Sequence, residues 1–331
     1  MQNAKEFCPS TSMQRIFSNC QYHTVTGRLV LGEPSVQNVP KEFEMLLSAE
    51  TGERDCTRRS ETSNKELTRS VSISMRTAFV PFKNGVFISA DYSQLELRII
   101  THLSQDNRLM EILNNGGDVF RMIAAEINQC DAAMVTSTQR QCTKHICYGI
   151  IYGIGARSLG EKLKIGEEEA GVFMDAFKNR FKGIKDFVKK TIEFARGKGY
   201  VLTLNNRRRY LSMINAKGIH MRGQAERQAV NTTVQGSAAD LVKMAMVNID
   251  ACIDKQFGTA AINKHSRTRI LKPRLVLHMH DELIYECHLS DKNQLARIVK
   301  TEMEQAVRLV VPLPVNVKIG KNWGELADWK P

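Results

Sequence analysis

Two acidic segments, far apart in the chain, contain the residue types best suited to catalysis. Asp91 follows the apolar run VFISA at residues 86–90, and Asp281 interrupts two apolar runs in HMHDELIYE. If those runs are neighbouring strands, the two carboxylates lie side by side and repel each other unless cations bind there. A pair of divalent cations can activate an attacking oxygen and stabilise a leaving group. The two segments, with Glu282 beside them, therefore suggest nucleotidyl transfer.

Each acidic segment also has a structural explanation when it is taken alone. Asp91 precedes a helical pattern and is a good helix N-cap, which is the favoured explanation for that residue in isolation. Asp281 suits a polar turn between two strands. A polar turn does not explain why His278, His280 and Glu282 crowd the same place.

A basic and aromatic stripe is predicted on a helix at residues 137–153. Arg140, Lys144, Tyr148 and Tyr152 recur every four residues and therefore share one helix face. Neighbouring cations on one face destabilise an isolated helix, and an anionic ligand such as a triphosphate offsets that repulsion. The ring of Tyr148 could then stack on a base or sugar. A solvated basic face explains this helix equally well when it is viewed alone.

A second helical stripe in the segment AERQAVNTTVQGSAAD (residues 225–240) is formed by Arg227, Asn231 and Gln235. An amide such as Gln235 can donate to the minor-groove acceptors found on every base pair, a contact that checks pairing without reading sequence. The small residues at 236–239 allow a close backbone approach, or simply close helix packing. Upstream polar candidates, none specific by itself, are Arg28 in TVTGR and Gln37 and Asn38 in PSVQNVP.

The overall composition narrows the function classes. The 331 residues carry a net charge of +12, which fits a polyanion partner and also fits a well-solvated basic protein. Eight cysteines without a C-x-x-C pair indicate reduced thiols in an intracellular protein, not disulfides or a zinc site. We expect neither secretion nor membrane spanning, because no signal-like segment and no long apolar run is present. The sequence contains no Walker-type phosphate loop, so it does not encode an NTP-driven motor.

The elements that position these residues predict an α+β fold. Strands are expected near both ends of the chain and helices in the middle, which suggests one antiparallel sheet with a helical insertion forming its own lobe. A hairpin is predicted around residues 200–211, strands at 275–279 and 282–287, and a helix at 293–309. Two polar stretches, residues 48–70 and the basic residues 258–272, are predicted to be flexible surface insertions.

Taken together, the motifs resemble those of family A DNA polymerases. DYSQLELR, R-x-x-x-K-x-x-x-Y-G-x-x-Y-G, the segment at 225–240 and HDE are similar, in order and spacing, to the family's A, B and C motifs. TVTGR and PSVQNVP resemble its first palm segment. Within the family, the sequences of these segments look most similar to the eukaryotic polymerase theta branch, with polymerase nu next. The resemblance covers nearly the whole chain from about residue 20.

The resemblance implies an antiparallel palm sheet with a helical fingers subdomain and no thumb. The palm would comprise residues 1–101, with an insertion at 48–70, and residues 234–331, with the basic loop at 258–272. The fingers would comprise residues 102–233. Because the chain begins where the family's thumb would end, we expect a weak grip on duplex DNA and possible missing thumb or helicase portions of a longer polymerase.

The resemblance also implies a role for each candidate residue. Asp91 and Asp281 would bind two Mg²⁺ ions, for which Mn²⁺ could substitute, with the Tyr92 carbonyl assisting and Glu282 nearby. Lys144 would bind the triphosphate and protonate pyrophosphate. The other roles are triphosphate binding by Arg140, nucleotide stacking by Tyr148, exclusion of a ribose 2′-OH by Glu96, template contact by Tyr152, and further DNA contacts by Arg28, Gln37, Asn38, Arg227, Asn231, Gln235 and His280.

The expected function is therefore template-directed addition of dNTPs to a primer 3′-OH on primer-template DNA, in the nucleus and linked to DNA repair. Phe120 stands where bacterial members often carry a histidine that contacts the triphosphate, so that contact is expected to be missing. Two alternatives remain open at this point. The chain could be a weak or inert primer-template-binding fragment, or a single-subunit RNA polymerase, although Glu96 argues against the latter.

Overall fold

The computed structural model of the chain describes residues 5–9, 11, 13–48, 68–258 and 271–330. The central parts of both predicted insertions, residues 49–67 and 259–270, lie outside the described residues. No helix in the described ranges combines the length and the apolar character needed to cross a bilayer. No disulfide joins two of the described cysteines.

Strands and helices are distributed along the chain much as the sequence predicts. The strands of the described residues are β1 (Lys5–Cys8), β2 (Met13–Ile16), β3 (Cys20–Gln21), β4 (Val30–Leu31), β5 (Phe43–Ser48), β6 (Thr68–Ile73), β7 (Gly85–Tyr92), β8 (Tyr200–Leu202), β9 (Arg208–Tyr210), β10 (Arg274–Met279), β11 (Glu282–His288), β12 (Val315–Gly320) and β13 (Ala327–Asp328). The helices are α1 (Leu95–Ser104), α2 (Asn107–Asn115), α3 (Val119–Asn128), α4 (Ser137–Ile151), α5 (Ala156–Leu163), α6 (Glu167–Arg180), α7 (Lys182–Lys198), α8 (Ile219–Phe257) and α9 (Lys292–Glu304).

An antiparallel sheet in the order β10-β11-β7-β12-β13 forms the centre of the fold. The predicted α+β class with an antiparallel sheet and a helical middle is therefore confirmed. The prediction of a single sheet is wrong, because β1-β2, β3-β4, β5-β6 and β8-β9 form separate two-stranded ribbons. Half of these strands have only two or three residues, too few to show a period of two in the sequence.

The two faces of the central sheet have different partners. Along β7, Ile88, Ala90 and Tyr92 face the main core, which also contains residues of α1, α8 and α9. Phe87 faces a smaller core with Trp323 on the other side. Because side chains alternate along a strand, Asp91 emerges on the same side as Phe87, at the end of β7. The sheet is thus covered by a core on each face, and its acidic end lies on the face of the smaller core.

One helix is shorter than predicted, and another crosses a predicted domain boundary. Helix α9 ends at Glu304, before the predicted end at Leu309, because the chain then turns toward β12 and the Glu304 carboxylate accepts a hydrogen bond from the Val315 N–H at 3.2 Å. Helix α8 runs unbroken through the predicted domain boundary at residues 233 and 234. The division into residues 1–101, 102–233 and 234–331 stays a prediction, with α8 shared by two of its parts.

Candidate active site

The register of the central sheet brings the predicted carboxylates together. Met279 of β10 pairs with Glu282 of β11, which leaves His280 and Asp281 as a two-residue turn, and His280 adopts a positive φ of 55°. Glu282 lies directly opposite Asp91 on β7. The backbone N–H of Tyr92 donates to the Asp281 carbonyl at 3.3 Å. Two distant segments therefore form one acidic edge.

Asp91 belongs to the strand and not to the following helix. Helix α1 begins at Leu95 and its N-cap is Gln94, which adopts a left-handed conformation with φ of 50°. The N-cap explanation that the sequence favoured for Asp91 in isolation is therefore wrong. Asp91 is exposed at the end of β7, in a position where it can meet a ligand.

The acidic edge accumulates charge that the protein does not neutralise. Desolvation, the largest effect, and the charges of Glu282 and Asp281 together raise the pKa of Asp91 to about 7, against the opposing effect of Lys318. Desolvation and the charge of Glu96 likewise raise the pKa of Asp281 to about 6. Like charges directly opposite each other on paired strands are destabilising. A bound cation would remove that repulsion.

The donor set fits magnesium bound together with a substrate. No group of three or more His, Cys, Asp or Glu side chains within the described ranges is arranged to hold a metal ion. Magnesium does not require one, since it commonly binds through one or two carboxylates, substrate phosphates and water. Asp91 and Asp281 supply two carboxylates, while the Glu282 side chain accepts a hydrogen bond from Ser89.

Glu96 is the centre of a buried polar cluster beside the acidic edge. Its carboxylate, 3% exposed, accepts from Arg28 Nη2 at 2.6 Å and from the Tyr152 hydroxyl at 2.7 Å. Desolvation and the neighbouring Glu96 raise the pKa of Tyr152 far above its usual value, so its hydroxyl stays protonated and continues to donate. Three residues from three separate motifs thus hold one another in place.

The stripe on α4 lies next to this cluster. Tyr148 and Tyr152 stack with ring centroids 6.2 Å apart and planes inclined by 18°. Desolvation and the charges of Glu96 and Asp281 raise the pKa of Tyr148 to about 12. The hydrogen bond from Tyr152 to Glu96 places this face of α4 against the Glu96 cluster. The helix starts with a capping box between Thr136 and Gln139.

The two cations of the α4 stripe differ in their partners. Arg140 Nε donates to Asp118 Oδ2 at 2.5 Å, whereas Lys144 has no hydrogen bond or ion pair with any described residue. Desolvation acts to raise the pKa of Asp118, but the hydrogen bond from Arg140 and the N–H of Arg121 hold it below its usual value. The α4 stripe therefore offers one free cation and one that a carboxylate occupies.

Helix α8 contributes the second predicted stripe. Asn231 Nδ2 donates to the Tyr152 carbonyl at 3.3 Å, while its Oδ1 is buried and has no hydrogen-bond partner among the described residues. The aliphatic part of Arg227 covers Gly153, where an added Cβ would lie 2.8 Å from Arg227 Cγ. Gln235 is partly exposed and makes no hydrogen bond with a described residue. The end of α4 is therefore packed directly on α8.

Comparison with known proteins shows the family to which the chain belongs. The sequence model described as DNA polymerase family A matches residues 2–325. The chain belongs to DNA polymerase family A. The chain is also similar to DNA polymerase theta of Mus musculus, with 42% identity over 374 residues that cover 99% of this chain and 15% of the relative. The predicted similarity to the theta branch is thereby confirmed.

Two further members of the family cover most of the chain. DNA polymerase I of Caldicellulosiruptor bescii is 37% identical over 305 residues, which are 92% of this chain and 31% of that protein. The solved POL domain of Pol1 from M. smegmatis, in complex with DNA primer-template and dNTP, has a TM-score of 0.76 and 34% identity. It covers 94% of this chain and 48% of that one. The chain spans less than one third of the length of these curated relatives.

Some of the residues predicted to contact DNA in this family A chain make structural contacts. Gln37 donates to the Leu29 carbonyl at 3.2 Å and the His278 carbonyl at 2.8 Å, and it accepts from the Leu31 N–H. It therefore fastens the β10-β11 hairpin to the N-terminal part of the chain. Asn38 is exposed and donates to Ser35 Oγ at 2.8 Å. A role of either residue in DNA binding stays a prediction.

Sequence reasoning missed two residues that the structure places at the site. Asp118 is the N-cap of α3 and the partner of Arg140, and only its position after two glycines hinted at a cap. Arg207, one of three consecutive arginines, reaches the segment around Gly27. Phe120, which stands where a histidine was expected in bacterial members, is buried with its ring centroid 6.0 Å from that of Tyr148.

Proposed function

We propose that this chain is a template-directed DNA polymerase that adds dNTPs to a primer 3′-OH. The observation that carries the proposal is the convergence of Asp91 and Asp281 on one sheet edge beside the Glu96 cluster, to which the α4 stripe is bonded through Tyr152. A carboxylate pair opposite cations and an aromatic ring is suited to a nucleoside triphosphate with bound metal. The solved POL domain from M. smegmatis, which is in complex with DNA primer-template and dNTP, supports the same substrates.

Two Mg²⁺ or Mn²⁺ ions would be held by Asp91, Asp281 and the Tyr92 carbonyl, where they would polarise the phosphates and activate the primer hydroxyl. The chain's own residues then orient the reactants. Lys144 binds the triphosphate and protonates the departing pyrophosphate, and the ring of Tyr148 stacks on the incoming nucleotide. The primer oxygen forms a bond to the α-phosphorus while the bond to pyrophosphate breaks.

The remaining residues would control geometry. Glu96 is held by Arg28 and Tyr152 beside Asp281, and from there its carboxylate would exclude a ribose 2′-OH. Arg140 would leave Asp118 to bind the triphosphate. The Gln235 amide and His280 would contact the minor groove and the primer end, with Arg227 and Asn231 lining the site. These assignments rest on the resemblance and on the proximity of the described side chains.

The proposed partners are primer-template DNA and dNTPs. We propose the cell nucleus as the location and DNA repair as the process, because the chain is similar to polymerase theta. Since the chain spans 15% of that relative, thumb or helicase portions of a longer polymerase are proposed as further partners. A nuclear role would be contradicted if the tagged endogenous protein were found outside the nucleus.

Primer extension by the full chain tests the proposed activity. With Mg²⁺ or Mn²⁺, we expect extension by the wild type and by Asp175→Ala, an exposed carboxylate on α6, and none by Asp281→Ala. Circular dichroism should show all three folded. Undiminished extension by Asp281→Ala would refute the site assignment. Tight primer-template binding without extension, even with enzyme in excess, would instead support the fragment that binds DNA without activity.

Sugar choice separates a DNA polymerase from an RNA polymerase of similar architecture. Opposite template dC, we expect dGTP to be incorporated in strong preference to GTP, because the Glu96 carboxylate leaves no room for a 2′-OH. Glu96→Ala should admit GTP. Equal use of the two nucleotides by the wild type would favour the RNA polymerase.

A further inference from the structure

The guanidinium of Arg207 joins three separate segments of the chain next to the Glu96 cluster. Its Nε donates to Asp240 Oδ1 of α8 at 2.9 Å. Its Nη2 donates to the Thr26 carbonyl at 2.7 Å and to the Gly236 carbonyl of α8 at 3.2 Å. One planar fork therefore binds a carboxylate and two carbonyls at once, which the compact ammonium of a lysine cannot reproduce.

The surrounding backbone leaves a space that this guanidinium fills. Gly27 has φ of 84°, and a Cβ there would lie 2.8 Å from Arg207 Nη2. A Cβ at Gly236 would lie 2.7 Å from Thr203 Cγ2 and 3.1 Å from Arg207 Nη2. Two glycines in distant motifs thus accommodate the same side chain. Thr203 fixes the Arg207 backbone, since its N–H donates to the Arg207 carbonyl at 3.0 Å and its hydroxyl accepts from the Arg207 N–H at 3.1 Å.

The segment that Arg207 holds is the turn that carries Arg28. In this turn the Gly27 N–H donates to the Thr24 carbonyl at 3.1 Å, and the Thr24 hydroxyl donates to the Arg28 carbonyl at 2.6 Å. Arg28 leaves the turn and donates to Glu96. The position of the turn on α8 therefore determines where the Arg28 guanidinium meets the Glu96 carboxylate.

We propose that Arg207 is a positioning residue that holds the turn at residues 24–28 on α8, so that Arg28 keeps Glu96 in the orientation that discriminates between sugars. Arg207 itself touches no reacting atom, because its described donors are directed at Asp240, Thr26 and Gly236. The part of the proposal that concerns sugar choice rests on the proposed polymerase function. The part that concerns the turn does not.

Hydrogen exchange tests the positioning role without any need for activity. In Arg207→Lys the charge opposite Asp240 is kept and the fork is lost, so we expect the Gly27 amide to exchange about tenfold faster. Arg209→Lys is the matched control, because Arg209 lies on the same hairpin but donates to Thr232 of α8. The Gly32 amide, bonded to the Asn19 carbonyl, is the internal reference. Unchanged exchange at Gly27 in Arg207→Lys would overturn the proposal.

If Arg207→Lys does not fold, Asp240→Asn tests the same arrangement, because the amide oxygen of Asn still accepts from Arg207 Nε while the charge that anchors the fork is lost. We expect faster Gly27 exchange there too, by a smaller factor. Gly27 exchange equal to that of the wild type in folded Asp240→Asn would show that the Asp240 charge does not anchor Arg207, and would overturn the proposed arrangement.

Nucleotide selectivity tests the consequence for sugar choice. We expect Arg207→Lys to lower the preference for dGTP over GTP at least threefold, and Arg209→Lys to leave it unchanged. In an Arg28→Ala background the Arg207→Lys effect should vanish, because both substitutions act through Glu96. An undiminished effect in that background would refute the route through Arg28. If the wild type incorporates no nucleotide, the proposed function fails, and the exchange experiment still decides the role of Arg207.

Discussion

Replacing Tyr152 with phenylalanine removes one oxygen from the centre of the candidate site. The ring that stacks on Tyr148 is retained, and the Glu96 carboxylate keeps its ion pair with Arg28. Only the hydrogen bond from the Tyr152 hydroxyl to Glu96 Oε2, 2.7 Å long, is lost. A hydrogen bond to a charged group contributes about 1.5–3 kcal/mol, and the remaining contact with Arg28 favours the lower end of that range. We expect the free energy of unfolding to fall by about 1.5–2 kcal/mol.

Urea denaturation followed by circular dichroism measures this loss, and calorimetry should show a fall in Tm of about 2–4 °C. The matched control is Tyr210→Phe, whose hydroxyl belongs to a residue that is 72% exposed. A double-mutant cycle with Glu96→Gln separates the Tyr152–Glu96 pair from other effects. The same variant should also lower the preference for dGTP over GTP, because Glu96 is then held from one side. Equal stability of Tyr152→Phe and wild type, or no coupling in the cycle, would refute the reasoning.

Three other substitutions have measurable outcomes. Glu286→Gln removes the buried charge that binds Arg15 of β2 at 2.5 and 2.7 Å. The free energy of unfolding, measured by urea titration, should fall by about 3 kcal/mol. An unchanged urea midpoint would contradict this prediction. Asp118→Asn frees Arg140 for the triphosphate, so the KM for dNTP should fall about threefold in steady-state extension, and a rise would count against an anion-binding role. Tyr148→Phe should raise the ddNTP concentration needed to terminate synthesis; equally efficient termination would show that the hydroxyl does not reach the sugar.

The parts of the site that the sequence predicted are those with strong local patterns. VFISA followed by Asp91, and two apolar runs around Asp281, predict strands and a tight turn, and the register places them together as expected. The spacing of four residues between Lys144 and Tyr148 puts both on one face whatever the surroundings. In each case the signal lies within about ten residues, where helix and strand periods determine which side chains share a face.

The parts that the sequence did not predict depend on contacts between distant segments. Nothing near Arg140 indicates that Asp118 is its partner, because the pair forms only when α3 packs on α4. Likewise Arg207 is indistinguishable in sequence from the two arginines that follow it. The structure separates it from Arg208, which is exposed and lies 5.1 Å over the Tyr200 ring. Tertiary packing determines which partner each of these side chains contacts, and the local periodicity of the sequence does not contain that information.

The unbroken course of α8 has a consequence for how this region tolerates change in length. Asn231 touches the backbone at Tyr152, and Asp240, nine residues further along the same helix, anchors Arg207. With a rise of about 1.5 Å per residue, the two contacts are spaced about 14 Å apart by helix geometry alone. One residue inserted between them would rotate the distal contact by about 100° relative to the proximal one. We therefore expect any single insertion or deletion within this stretch to separate the end of α4 from the turn that carries Arg28.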